Sequence, residues 1–216
     1  MNLKLLNTFK ESPVKLIAVS KTRSVEQIKE FYDQGHKDFG ENRVQELLSK
    51  VDHLPKDISW HLIGHLQKNK IKYIAGFIDW IHSVDSIKLL RKINNEAAKH
   101  DRKIKVLFQF KIAQEETKFG FDFKNFMEQA EDIDFGDFAN VEFKGVMGMA
   151  SFVNDETQVT GEFKKLKEIF DTLKSGKFEQ YPEFTEISMG MSGDYDLAIE
   201  HGSTMVRIGT LLFKRS

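Results

Sequence analysis

The sequence predicts one α/β domain folded as a closed (β/α)8 barrel of the TIM type. Short apolar runs alternate with longer amphipathic segments along the whole chain, the pattern of parallel strands joined by helices. Eight such alternations can be read, and eight favour a closed barrel over an open doubly wound sheet. The length of 216 residues suits a barrel folded as a single domain, since barrels commonly use roughly 200–250.

The elements follow in order. Lys15-Leu16-Ile17-Ala18-Val19-Ser20 reads as a buried strand, and a helix with Val25, Ile28 and Tyr32 on one face follows it. Ser24 and Gln27 supply a capping box at its start. Asp38-Phe39-Gly40 marks a short second strand, and Val44, Leu47, Leu48 and Val51 line the next helix. Trp60 to Ile63 is the third strand, with a helix expected over Asn69 to Ala75. Trp80 to Val84 is the fourth, followed by a helix carrying Leu89, Leu90, Ile93 and Ala97. Val106 to Phe110 is the fifth, with a helix near Asn125 to Glu131. The sixth lies within Val141 to Met149, and its helix buries Phe163, Leu166, Phe170 and Leu173. Glu186 to Met189 is the seventh strand and Met205 to Ile208 the eighth. Only a short segment follows Gly209, so the residues before Pro13 are expected to cover the barrel where an eighth full helix would lie. No Gly/Ser-rich linker or repeat divides the chain, so residues 1–216 read as one domain.

Composition narrows the function. Lys plus Arg total 32 against 33 Asp plus Glu, which argues against a dedicated nucleic-acid or membrane-surface binder. The absence of cysteine excludes disulfide scaffolds, thiol chemistry and cysteine-ligated metal sites. The first residues lack the apolar stretch of a signal peptide, and no apolar run reaches the ~18 residues of a membrane span. A cytoplasmic chain is expected.

A barrel places its chemistry at the C-terminal ends of its strands. Lys21 is the first candidate there. It shares a face with Ile17 and Val19, so an inward Val19 puts Lys21 at the barrel mouth. An apolar strand around it would favour the neutral, nucleophilic amine, whereas an ordinary lysine there would reach for water. The second candidate is Met189-Gly190-Met191-Ser192-Gly193-Asp194, where glycines and a helix start near Asp194 would make an anion site or simply a turn. The third is Val206-Arg207-Ile208-Gly209-Thr210. A buried arginine needs a partner, and Gly209 and Thr210 offer donors to a phosphate after strand eight. Gly40-Glu41-Asn42 ends a strand and opens a helix. His61 and His65 on one strand face would stand ~13 Å apart, too far to chelate one ion, and no metal site is expected. No Ser/His/Asp arrangement can be argued from residue order alone.

Together these strand ends resemble the pyridoxal phosphate homeostasis protein family, which is similar to the N-terminal barrel domain of alanine racemases. The resemblance rests on Ala18-Val19-Ser20-Lys21-Thr22, Phe39-Gly40-Glu41-Asn42-Arg43-Val44-Gln45-Glu46, His61 through Lys70, His82-Ser83-Val84-Asp85, Ser188 through Ser192, and Val206 through Thr210. It implies a barrel binding pyridoxal 5′-phosphate (PLP), with Lys21 forming an imine to the cofactor. It further implies that Ser192, Gly209 and Thr210 hold the phosphate with Met191 adjacent. Arg207 would face the pyridine nitrogen, and Asn42 would lie near the cofactor. Arg43 stands where many members carry tyrosine, and Lys214 where a glycine commonly follows phenylalanine.

Arginine can only donate to a ring nitrogen, which weakens the ring as an electron sink. Racemases of the related type take a second base from a C-terminal domain, and this sequence ends shortly after Gly209. The expectation is therefore a carrier or regulator in vitamin B6 and amino-acid homeostasis, without a defined catalytic activity. A weak PLP-dependent amino-acid racemase is the alternative. The expected partners are PLP and, for a carrier, PLP-dependent apo-enzymes, with the chain a monomer or weak dimer.

Overall fold

The computed structural model describes residues 2–113 and 119–214. Eight parallel strands close into a barrel in sequence order: β1 (Lys15–Val19), β2 (Asp38–Glu41), β3 (Ser59–Leu62), β4 (Trp80–Val84), β5 (Ile104–Phe110), β6 (Val141–Gly148), β7 (Glu186–Ser188) and β8 (Met205–Ile208). β8 returns to β1 with Leu16 opposite Val206 and Ile17 opposite Arg207. The helices are α1 (Leu3–Lys10), α2 (Val25–Asp33), α3 (Val44–Val51), α4 (Ile87–Ala98), α5 (Phe123–Glu131), α6 (Glu156–Ser175), α7 (Tyr195–Glu200) and α8 (Thr210–Phe213). Among the described residues no helix is long and apolar enough to cross a membrane.

The expected strands are present, with ends differing by a residue or two. The helix expected over Asn69 to Ala75 is instead a 3-10 helix, Lys68–Tyr73. The capping box at Ser24 forms as expected. In α2 the buried residues are Ile28 and Phe31; Tyr32 turns half outward and its hydroxyl donates to Asp57 (2.7 Å). The segment before Pro13 forms α1, which buries Leu6 and Phe9. It lies beside the last elements of the barrel: the Asn2 N–H donates to the Leu212 carbonyl (2.8 Å), and the Phe9 ring meets Tyr195 of α7 (6.0 Å).

Strand alternation divides the side chains into two populations. Outward residues such as Leu16, Ala18, Phe39, Trp60, Phe108 and Val206 join the helices in one large core. Phenylalanine dominates its β5–β6 sector, where the Phe108 ring lies 5.1–6.2 Å from those of Phe121, Phe126, Phe135, Phe143 and Phe178. Phe108→Leu should lower stability by about 1–2 kcal/mol, because leucine leaves a cavity and loses the ring contacts. Urea unfolding measures this, and a change within error would show that the sector repacks freely.

Inward residues form a smaller apolar cluster of Trp80, Leu107, Met147 and Met205. Polar side chains share the interior with them: His61, His82, Ser188 and Arg207 are buried there, with Asp38 partly so. Barrel interiors are usually filled by branched apolar side chains, so this one is committed to polar contacts.

Candidate functional site

The expected site residues lie at the mouth of the barrel, on β8 and in the segments that follow β1, β2, β7 and β8. Lys21 follows β1 and is exposed, without a hydrogen bond or ion pair among the described residues. The desolvating apolar surroundings expected for it are therefore absent, because the strand ends at Val19, two residues earlier. Its backbone, by contrast, is held firmly. Buried Lys50 of α3 donates to the Ser20 carbonyl (2.9 Å) and to Glu41 and Glu46 (2.7 Å each). The Ser20 hydroxyl donates to the same Glu41 oxygen (2.7 Å), and the Thr22 N–H donates to Glu46. Thr22 takes a left-handed conformation (φ 62°), which costs a β-branched residue about 1–3 kcal/mol. The Glu46 bond helps hold it there, so the turn carrying Lys21 is fixed while its amine stays free.

After β7, Gly190 turns with φ +92°, and a Cβ there would meet Ala198 at 2.6 Å, so only glycine fits. Ser192 is half-buried and its hydroxyl accepts the Gly209 N–H (3.4 Å), which joins the β7 and β8 loops. Thr210 is exposed at the start of α8. The structure revises one expectation here. The helix near Asp194, α7, has only 6 residues, and the Asp194 carboxylate accepts the Met191 N–H (2.6 Å). That donor is committed within the loop, as the Gly209 N–H is to Ser192. A cavity of about 360 Å³ adjoins Ser192, lined also by Gly193, Asp194, Tyr195, Asn154 and neighbours. A more open cleft of about 570 Å³ lies farther round the mouth, at the β3 and β4 loops.

Asn42 is half-buried beyond β2. Its backbone is pressed against Gly64, where a Cβ would come within 2.3 Å of the Asn42 carbonyl, so the β3 loop fixes its place. Arg43 is exposed at the start of α3. Lys214 ends α8 with φ −60°, an ordinary conformation, so the chain has no need of the usual glycine.

Arg207 is the deciding group. It is buried, yet among the described residues no carboxylate forms a salt bridge with it, and its partners are neutral oxygens. It donates to the Ser188 hydroxyl (2.6 Å) and the Gly148 carbonyl (3.0 Å). Burial pushes its guanidinium down to about 10, so it remains protonated at neutral pH. A buried cation is costly unless something accepts from it, and two of its five N–H groups are engaged.

Ser188 leads into a line of buried groups that residue order did not reveal. His82 lies 3.0 Å from Ser188, His61 lies 2.9 Å from His82, and Asp38 lies 3.0 Å from His61. Period-two alternation on four strands was the available signal, since it turns each of these residues inward. Burial pushes both histidines below the ordinary imidazole value, His82 well below it. The unfolded chain therefore takes up protons near pH ~6.5 that the folded chain refuses. Stability is full above that pH and falls as acid is added, by up to about 1.4 kcal/mol per pH unit for each histidine. Urea unfolding between about pH 7.5 and 5 should show a shallower dependence in His82→Asn than in the unaltered chain. Buried Glu41, which burial raises, contributes with the opposite sign and cancels in that comparison. Equal slopes would assign the acid sensitivity elsewhere.

The alanine racemase N-terminal domain model matches residues 1–216. The pyridoxal phosphate homeostasis protein of Vibrio alginolyticus is 40% identical over 205 residues, covering 93% of this chain and 85% of that one. The Aquifex aeolicus protein of the same name is 41% identical over 204 residues, covering 94% and 87%. The chain belongs to the pyridoxal phosphate homeostasis protein family. Among solved structures, this family member is similar to PipY of Synechococcus elongatus without PLP, at TM-score 0.88, 33% identity and coverage of 98% and 99%. It is also similar to PipY with PLP bound, at TM-score 0.82, 34% identity and coverage of 98% of each chain. An alanine racemase of Clostridium difficile shares the fold at 17% identity and TM-score 0.74.

Proposed function

We propose that the chain binds pyridoxal 5′-phosphate at the barrel mouth and acts as a carrier or regulator in vitamin B6 and amino-acid homeostasis. The observation that carries this reading is Arg207: a buried guanidinium with, among the described residues, unused donors and no carboxylate salt bridge, at the end of β8 beside Gly209. PLP presents what such a site lacks, a ring nitrogen to accept from Arg207 and a phosphate for Ser192, Gly209 and Thr210. Lys21 stands on a fixed turn with no partner for its amine among the described residues, and Asn42 and Met191 follow β2 and β7 at the same end of the barrel. Relatives named for pyridoxal phosphate homeostasis, and the PLP-bound PipY structure, support the assignment.

When bound, PLP supplies an aldehyde carbon that an amine can attack and a ring that withdraws electrons. The residues of this chain hold it. Arg207 is a permanent donor, so the ring nitrogen receives a hydrogen bond without taking up a proton. A neutral ring nitrogen withdraws electrons weakly, which suits retention of the group better than carbanion chemistry. Lys21, exposed to water, can be reached and released.

The test is chemical. After incubation with PLP and reduction with borohydride, peptide mass mapping should place a pyridoxyl adduct on the Lys21 peptide, and Lys21→Ala should lose it. Absence of the adduct from that peptide would overturn the assignment. Interconversion of L- and D-amino acids, abolished in Lys21→Ala, would replace the carrier role with a racemase.

A further inference from the structure

Arg207 and Asp38 stand at the two ends of the line of buried polar groups inside the barrel. Its links run from the Arg207 guanidinium to Ser188 Oγ (2.6 Å), then to His82 Nδ1 (3.0 Å). From His82 Nε2 the line passes to His61 Nδ1 (2.9 Å), and from His61 Nε2 to Asp38 Oδ1 (3.0 Å). Ser188, His61 and His82 are wholly buried.

The direction of every link follows from what the two ends can do. Burial would raise Asp38, but the His61 hydrogen bond brings it below the ordinary carboxylate value, so it is ionised and can only accept. His61 must then carry its proton on Nε2. A neutral imidazole has one N–H, so its Nδ1 accepts. His82 must donate from Nε2, and its own Nδ1 accepts in turn. Ser188 must donate its single O–H to His82, which leaves its lone pairs for Arg207. Arginine can only donate, so the last link agrees with the first.

We propose that Asp38, His61, His82 and Ser188 form a one-directional hydrogen-bond chain that positions Arg207 and sets how strongly it donates to the ring nitrogen of the bound cofactor. The four are positioning residues, and the proposal rests on the PLP-binding reading above. Each donor in the chain is polarised by the acceptor beyond it, so the Asp38 charge is felt at Ser188 and strengthens its hold on the guanidinium. Lys15, 4.0 Å from Asp38, neutralises part of that charge at the far end. The arrangement gives the buried cation a polarised hydroxyl acceptor inside the barrel, and the nearby Asp194 carboxylate is held by the Met191 N–H rather than by the guanidinium.

Two measurements test it. Nitrogen-15 correlation spectra of the cofactor-free protein should show both His61 and His82 as neutral Nε2–H tautomers. An Nδ1–H tautomer or an imidazolium at either residue, at neutral pH, would overturn the chain. Visible absorption and PLP titration should then show that Asp38→Asn and Ser188→Ala move the bound-cofactor spectrum in the same direction. Each should weaken binding about tenfold, as removal of an orienting outer partner does. Ser188→Thr, which keeps the hydroxyl, should restore both. A spectrum and affinity unchanged in Asp38→Asn would overturn the positioning role. If the unaltered protein takes up no PLP, the binding reading itself falls, while the tautomers still judge the chain.

Discussion

Lys50→Met should lower the unfolding free energy by about 3–5 kcal/mol, the cost of leaving one member of a buried ion pair alone. Lys50 is buried and spans Glu41, Glu46 and the Ser20 carbonyl. Glu46 can turn to water, being partly exposed, but Glu41 is wholly buried and its Oε2 already lacks a partner among the described residues. Burial pushes the Glu41 carboxyl up even with Lys50 present, so without Lys50 it would take a proton. The deficit should therefore be largest at neutral pH and shrink with acid. Lys50→Met combined with Glu41→Leu should recover most of the loss, because an apolar pair replaces a buried charged pair at little net cost. Urea unfolding of the three chains at two pH values checks this. A Lys50→Met loss below about 1 kcal/mol would show that solvent reaches Glu41. The same variant frees the Ser20 carbonyl, so PLP labelling of Lys21 should slow before the protein unfolds.

Arg207→Glu should have the second large effect, and it falls on the ligand. The guanidinium donates to the Gly148 carbonyl at 3.0 Å, and a carboxylate there would set two acceptors against each other. An unsatisfied buried carbonyl costs about 1–3 kcal/mol of stability. At the ring nitrogen the change is one of kind. A carboxylate favours a protonated pyridine where arginine favours a neutral one. PLP binding should weaken by about tenfold or more, the magnitude expected for a charge-assisted hydrogen bond of ~1.5–3 kcal/mol. The bound cofactor should also shift its absorption and react faster with added amino acids. Unchanged absorption together with unchanged reactivity would contradict the role given to Arg207.

Elements whose signal is local were legible in the sequence. The stripes of α4 and α6 appear as read, with Leu89, Leu90, Ile93 and Ala97 buried in one and Phe163, Leu166, Phe170 and Leu173 in the other. Strand alternation put Ile17 and Val19 on one face; a Cβ on Gly40 would strike Ile17, and one on Gly209 would come within 3.3 Å of Val19. The candidates after β7 and β8 do come together through the Ser192–Gly209 contact. What was not legible depends on neighbours across the barrel. His61 could be weighed only against His65 on its own segment, whereas its partners Asp38 and His82 come from the flanking strands β2 and β4. The clamp beneath Lys21 escaped for the same reason. Lys50 lies between the apolar positions of an amphipathic helix, and only its bond to the Ser20 carbonyl at the end of β1 shows that it turns inward. Exposure of Lys21 depends on where the strand stops, which composition does not fix to within two residues.

The seam between β1 and β8 has a consequence for how the molecule is made. Ring closure pairs Lys15 with Met205, residues drawn from opposite ends of the sequence. Contacts of such separation are slow to form, since the intervening chain must first be ordered. On a ribosome β1 emerges early and must wait, one edge unpaired, until β8 is synthesised. Arg207 lies on that last strand, so the pocket and the closed sheet come into being in the same event. A half-made chain would have Lys21 but no groove to hold a cofactor against it.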